Sequence, residues 1–186
     1  MDSFPAIEID KVKAWDFRLA NINTSECLNV AYGVDANYLD GVGVSITSIV
    51  LNNRHINLDF YIIADVYNDG FFQKIAKLAE QNQLRITLYR INTDKLQCLP
   101  CTQVWSRAMY FRLFAFQLLG LTLDRLLYLD ADVVCKGDIS QLLHLGLNGA
   151  VAAVVKDVEP MQEKAVSRLS DPELLGQYFN SGVVYL

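Results

Sequence analysis

The chain reads as an α/β fold, a mostly parallel sheet flanked by helices, on three observations. Short apolar runs of strand type alternate with longer segments of helical periodicity, an order that favours parallel strands and right-handed crossovers. A glycine and short polar residues, Gly33-Val34-Asp35-Ala36-Asn37, follow the first of these runs. The apolar stretch Leu126-Leu127-Tyr128-Leu129 ends on the acid pair of Asp130-Ala131-Asp132, and in open α/β sheets the carboxyl ends of strands meet the ligand.

Taken in order, residues 1–26 mix charged and apolar side chains without a clean period and read as an extension, a peripheral arm or short helix laid on a domain of residues 27–186. Leu28 to Val34 reads as a strand, Tyr38 to Asn53 as a helix and Leu58 to Ala64 as a strand. Asn68 to Gln83 has the spacing of an amphipathic helix, with Phe71, Phe72, Ile75, Leu78 and Ala79 inward,. Leu84 to Ile91 is the third strand, and a loop around Pro100 leads to a helix from Trp105 to Leu119. Arg125 to Leu129 and Gly149 to Val155 read as further strands, and Ser167 to Tyr178 as helix or loop. Phe179-Asn180-Ser181-Gly182 opens as a turn and continues as a strand to Leu186. The chain stops inside that apolar run, so the expectation is a portion of a longer protein.

With 186 residues, half of them hydrophobic, there is material for one sizeable core,. A net charge of −5 argues against a nucleic-acid surface or a polybasic membrane patch,. The longest apolar windows, residues 41–51 and 149–155, are too short to span a bilayer, and the acidic start is unlike a signal peptide,. The expected setting is soluble and cytoplasmic. Four scattered cysteines, Cys27, Cys98, Cys101 and Cys135, suit reduced thiols rather than a disulfide framework,. Cys98-Leu99-Pro100-Cys101 has redox spacing, but no second pair or paired histidines accompany it, and it reads as a loop,.

Ionised carboxylates beside an apolar strand call for a cation, and oxygen ligands suit Mg²⁺ or Mn²⁺. Asp130 and Asp132 are therefore the candidate metal ligands, with a phosphate as the second partner. Asp35 and Asn37 offer an acceptor and an amide to a nucleotide, or alternatively cap the following helix,. Arg107 and Arg112 would add fixed positive charge,. His55 and His144 lack helical spacing to a second ligand, and Ser45, Ser106 and Ser181 lack a nucleophile-elbow context,.

Four motifs in order, Gly33-x-Asp35-x-Asn37-Tyr38, Tyr110-x-Arg112, Leu127-Tyr128-Leu129-Asp130-Ala131-Asp132 and Phe179-Asn180-Ser181-Gly182-Val183, resemble family 8 retaining glycosyltransferases. The resemblance covers roughly residues 28–186. The run Trp105-Ser106-x-Ala108-Met109-Tyr110-Phe111-Arg112 and the N-terminal extension are most similar to bacterial lipopolysaccharide core hexosyltransferases, in particular the UDP-glucose-dependent α-1,2-glucosyltransferases. This implies a Rossmann-like, nucleotide-diphospho-sugar transferase fold of the GT-A type, incomplete at its C-terminus. By the same resemblance, Gly33, Val34, Asp35, Ala36, Asn37 and Tyr38 form the nucleotide pocket floor, with Asp35 and Asn37 on uracil and ribose. Asp130 and Ala131 border the donor, and Asp130 and Asp132 bind the metal. Arg112 contacts the donor sugar or its phosphates and joins Asp130 in the catalytic set, while Asn180 and Ser181 position the hexose.

The implied donor is UDP-glucose or UDP-galactose, the acceptor a sugar of the lipopolysaccharide outer core, and nucleic acid is not a partner. Family members also carry an Asp-Gln motif and a metal-completing histidine in later segments, which this sequence does not contain. Weak or no transfer is therefore expected from these residues alone, and contact with the cytoplasmic face of the inner membrane is expected through the missing C-terminal part. Retention by a covalent intermediate and by same-face attack within an ion pair both remain open. Two other readings stand beside this one: a phosphatase with Asp130 as nucleophile, and a non-catalytic nucleotide-binding piece.

Overall fold

The computed structural model describes residues 8–18, 27–102 and 106–186. Their strands are β1 (Ile9–Asp16), β2 (Cys27–Val34), β3 (Asn57–Ala64), β4 (Arg85–Ile91), β5 (Leu127–Leu129), β6 (Ala153–Lys156) and β7 (Phe179–Tyr185). They make one sheet in the order β1-β4-β3-β2-β5-β7-β6. Four helices accompany it: α1 (Leu39–Asn52), α2 (Asp69–Asn82), α3 (Phe111–Leu119) and α4 (Glu159–Leu169). None is long and apolar enough to cross a membrane.

The sheet is mixed. β4, β3, β2 and β5 run parallel, whereas β1 pairs antiparallel with β4, and β7 pairs antiparallel with both β5 and β6. The parallel centre is buried on both faces, as the nearly unbroken apolar text of β2 and β3 requires,. Leu28, Val30 and Tyr32 pack with Ile46 and Ile49 of α1 and Phe71 and Ile75 of α2. On the other face Ala31, Tyr61 and Tyr128 pack with Phe111, Phe114 and Leu119 around α3.

Local signals place the helices. Asn68 Oδ1 accepts from Phe71 N at 2.8 Å, capping α2, and Asp69 in its first turn suits the positive end of the helix dipole,. As expected for this helix, Phe71, Ile75 and Ala79 are buried, and Phe72 and Leu78 pack partly against the same core.

The structure corrects three expectations and adds one helix. Within the N-terminal extension, residues 9–16 are an edge strand rather than a helix or a loose arm, while residues 1–7 and 19–26 of that extension lie outside the described residues. The helix expected from Trp105 begins later: Trp105 is outside the described residues, Ser106 caps a 3-10 turn at Arg107–Tyr110, and α3 starts at Phe111. The strand expected from Gly149 begins at Ala153, because Asn148 and Gly149 sit at φ 49° and 89° in a left-handed turn. Helix α4 fills residues 159–169, most of them a stretch to which the sequence assigns no element, with Pro160 in its first turn, where a missing N–H costs nothing,. Beyond it residues 170–178 are turns around a short 3-10 segment, Pro172–Leu174, in keeping with the helix or loop expected there.

Candidate functional site at the carboxyl end of the sheet

The site is assembled from the ends of β2, β5 and β7. β5 lies between the other two, with Ala31 opposite Tyr128 and Val183 opposite Leu129. The ladder continues one residue further, where Asp130 N donates to Gly182 O at 2.9 Å. Opposite β6, β7 skips register, since Val154 faces Val184 and the next residue, Val155, faces Asn180. Ser181, Gly182 and Val183 thus leave the β6 ladder, which accounts for the turn-like text read at this point.

Two glycines let helices reach these strand ends. A Cβ on Gly33 would lie 2.8 Å from Phe111 Cβ and 3.2 Å from Arg112 N, so the bare backbone there admits the start of α3,. A Cβ on Gly41 would lie 3.0 Å from Ala131 O, which sets α1 directly against the acidic turn.

Arg112, in the first turn of α3, joins the strand ends. Its Nη2 donates to Asp130 Oδ1 at 3.0 Å and Oδ2 at 3.3 Å, its Nη1 to Ser181 O at 2.6 Å and to Ser181 Oγ, and its Nε to Met109 O at 2.9 Å. The guanidinium also lies over the Tyr128 ring, 5.4 Å from its centroid. Every arm of the fork is engaged, a geometry lysine could not reproduce. Burial raises the Asp130 carboxyl above the ordinary carboxylate range; Arg112 opposes that rise and the Asp132 charge adds to it.

Asp35 follows β2, the strand paired with β5. Its Oδ1 accepts from Asn37 N at 3.0 Å, capping the 3-10 turn Ala36–Tyr38, and its Oδ2 accepts from Ser106 Oγ at 2.7 Å. Capping and cleft-lining therefore coexist in one side chain.

Gly33, Val34, Asp35 and Tyr38 from the first motif line one cleft with Arg112, Asp130, Ala131 and Asp132. Its volume among the described residues is about 140 Å³, below the roughly 300–1,000 Å³ of a pocket enclosing a drug-sized ligand. These walls can hold part of such a molecule. Ala36 and Asn37 are exposed on the turn beside the lining. Asn180 and Ser181 border the cleft through Arg112 and Gly182 rather than by lining it: Asn180 Oδ1 accepts from Gly182 N at 2.8 Å.

Arg107 turns away, donating to the carbonyls of Leu96 and Gln97 at 3.0 and 3.3 Å. His55 lies 3.4 Å from Asp138, His144 ends a short 3-10 turn, and neither lines the cleft. All four cysteines are free. The geometry brings forward two residues that the motifs contain but to which the sequence assigns no role in the site: Ser106, bonded to Asp35, and Gly182, against which the Asp130 carboxylate rests. No local signal marks the first. The second is a lone glycine within strand-like text, a recognised sign of close approach.

Asp130 and Asp132 fit a hard divalent cation on the donor set alone, since Mg²⁺ takes one or two carboxylates together with substrate phosphates. Both line the cleft, their charges interact, and Asp130 already accepts a cation in Arg112. Among the described residues no group of three or more His, Cys, Asp or Glu gathers to hold a metal.

Comparison with known proteins agrees with this geometry. A family model described as glycosyl transferase family 8 matches residues 29–186. A lipopolysaccharide 1,2-glucosyltransferase of Escherichia coli is 40% identical over 180 residues, covering 97% of this chain and 51% of that protein. A lipopolysaccharide 1,3-galactosyltransferase of Salmonella typhimurium is 37% identical over 174 residues, covering 92% of this chain and 51% of that protein. The chain thus spans about half the length of these relatives. Among solved structures, the galactosyltransferase LgtC with donor and acceptor sugar analogues aligns at TM-score 0.72 and 20% identity, covering 86% of this chain and 57% of that one. The bifunctional glycosyltransferase WbbM aligns at TM-score 0.71 and 19% identity, covering 91% of this chain and 32% of that one. These likenesses establish the GT-A type of fold, and the family match, which includes the acidic strand end, displaces the phosphatase reading.

Proposed function

Since the chain belongs to glycosyl transferase family 8, we propose that it forms the nucleotide-sugar-binding part of a metal-dependent, retaining hexosyltransferase. The whole protein moves glucose, or galactose, from a UDP-sugar to a sugar of the lipopolysaccharide outer core, at the cytoplasmic face of the inner membrane. The observation that carries the reading is that Asp130 and Asp132 share one cleft with Asp35 and its loop.

In this proposal the loop from Gly33 to Tyr38 floors the nucleotide pocket, Asp35 accepts from the base, and Asn37 is directed to the ribose. Asp130 and Asp132 hold Mg²⁺ or Mn²⁺, with Ala131 between them against the donor. When bound, that ion neutralises charge developing on the departing diphosphate. Arg112 keeps Asp130 aimed and presents a fixed positive charge beside the phosphates, a preorganised arrangement of the kind that stabilises developing charge. Asn180 and Ser181, tied to Gly182 and Arg112, border the hexose.

The experiment is transfer by the whole protein, with labelled UDP-glucose and UDP-galactose offered separately to a truncated lipopolysaccharide core. Transfer of one hexose that requires a divalent ion and is lost in Asp132→Ala supports the proposal. Transfer indifferent to chelation and to Asp132→Ala contradicts it.

A further inference from the structure

We propose that Ser106 is a positioning residue for base selectivity: by donating its hydroxyl proton to Asp35, it fixes the carboxylate that tells uracil from cytosine. The inference rests on Asp35 being the base acceptor and goes beyond it by naming what gives that carboxylate its direction.

Ser106 Oγ lies 2.7 Å from Asp35 Oδ2, across 71 positions of sequence. The same Oγ accepts from Ala108 N at 3.3 Å, so its lone pair serves the turn while its single proton goes to Asp35,. On the other oxygen, Asp35 Oδ1 accepts from Asn37 N at 3.0 Å. A carboxylate offers about four lone-pair sites. With one contact on each oxygen among the described residues the group is fixed in rotation, and further lone-pair sites remain beside the cleft that Ser106 and Asp35 both line.

The turn that carries Ser106 does not depend on this bond. Arg107 Nε is held by Leu96 O at 3.0 Å, Tyr110 Oη by Pro100 O at 2.8 Å, and Arg112 by Ser181 and Asp130. The Ser106 to Asp35 contact is thus a link between two separately anchored walls, not a requirement for either wall to form.

Uracil presents an N3–H donor, whereas cytosine presents a bare N3 acceptor at the same place. A carboxylate held with lone pairs toward the base binds the first and repels the second; one free to turn separates them less well. The alternative role for Ser106 is turn capping alone, which predicts no effect on the choice of base.

The test is calorimetric titration of UDP and of CDP, each with Mn²⁺, into the wild-type chain and into Ser106→Ala, Ser106→Thr and Ser106→Gly. Wild type is expected to prefer UDP by about tenfold or more. Ser106→Ala lowers that ratio roughly fivefold, the size of one exposed hydrogen bond, and Ser106→Thr, which keeps the hydroxyl, preserves it. Ser106→Gly, tolerated at a cap position, brings no proton to Asp35 and adds no charge, so it also loses selectivity. If Ser106→Ala does not fold, the Thr and Gly variants decide the question between them. A wild-type ratio retained in Ser106→Ala or Ser106→Gly, or lost in Ser106→Thr, overturns the role of Ser106 alone. A wild-type chain that does not separate UDP from CDP overturns the base-acceptor reading of Asp35, and this inference with it.

Discussion

A Cβ on Gly182 would stand 2.8 Å from Oδ2 of Asp130, so the Asp130 carboxylate rests in the space that a side chain at residue 182 would fill. The atom struck by Gly182→Ala is the tip of a side chain, which can move where backbone cannot. The variant should keep its fold, with a midpoint within about 4 °C of wild type. Its metal-dependent affinity for UDP should fall about tenfold, as expected when a ligand group is moved by part of an ångström. Thermal denaturation and titration of one preparation check both halves.

Arg112 donates to both oxygens of Asp130, the carboxylate proposed above to ligate the divalent ion. Without nucleotide, Arg112→Met should bind Mn²⁺ roughly tenfold more tightly than wild type, because a neighbouring positive charge has been removed. Free Mn²⁺ followed by paramagnetic resonance measures this directly. Unchanged or weaker binding would show that Arg112 does not oppose the ion.

At the amino end of the strands, the buried carboxylate of Asp59 is held by Arg85 Nη2 and, at 3.4 Å, by Arg18 Nη1. Arg85→Met leaves that charge buried with Arg18, at the longer distance, as its remaining cation among the described residues. Such a loss costs about 3 kcal/mol, readable by urea denaturation, and metal-dependent UDP affinity should stay at its wild-type value because Arg85 is not part of the cleft.

Burial raises the Asp130 carboxyl, with Arg112 opposing and Asp132 adding. Between the ordinary value of about 3.9 and this raised one, the native chain holds a proton that the unfolded chain has released. Asp130 therefore favours the fold less as pH rises through that window. Asp130→Asn removes this dependence, so the difference in melting midpoint, variant minus wild type, should become more positive as pH rises above about 4. A difference that falls over this range would mean that the Arg112 pair outweighs desolvation.

The parts of the molecule legible in the sequence are those written in neighbouring residues. The apolar run into Asp130-Ala131-Asp132, the Gly33 to Tyr38 loop and the α2 pattern carry their signals within a few positions, and each is found where it was expected. β1 was obscured by a bulge between Lys11 and Lys13, which places its half-buried residues at Ile9, Val12 and Trp15, a period of three belonging neither to a strand nor to a helix,. α4 buries only Gln162 and Ala165, too little to print a stripe. The Ser106 to Asp35 bond and the contact of Gly182 with Asp130 join distant segments. Nothing in either local sequence announces its partner.

The central claim is that Asp130, Asp132 and the Asp35 loop grip one ligand together. Calorimetry of UDP with the wild-type chain and with Asp130→Ala, each with and without Mn²⁺, tests it most directly. The account predicts wild-type binding that strengthens with Mn²⁺ and an Asp130→Ala chain in which that enhancement is gone. UDP binding of equal strength in all four titrations, or none in any, would contradict it.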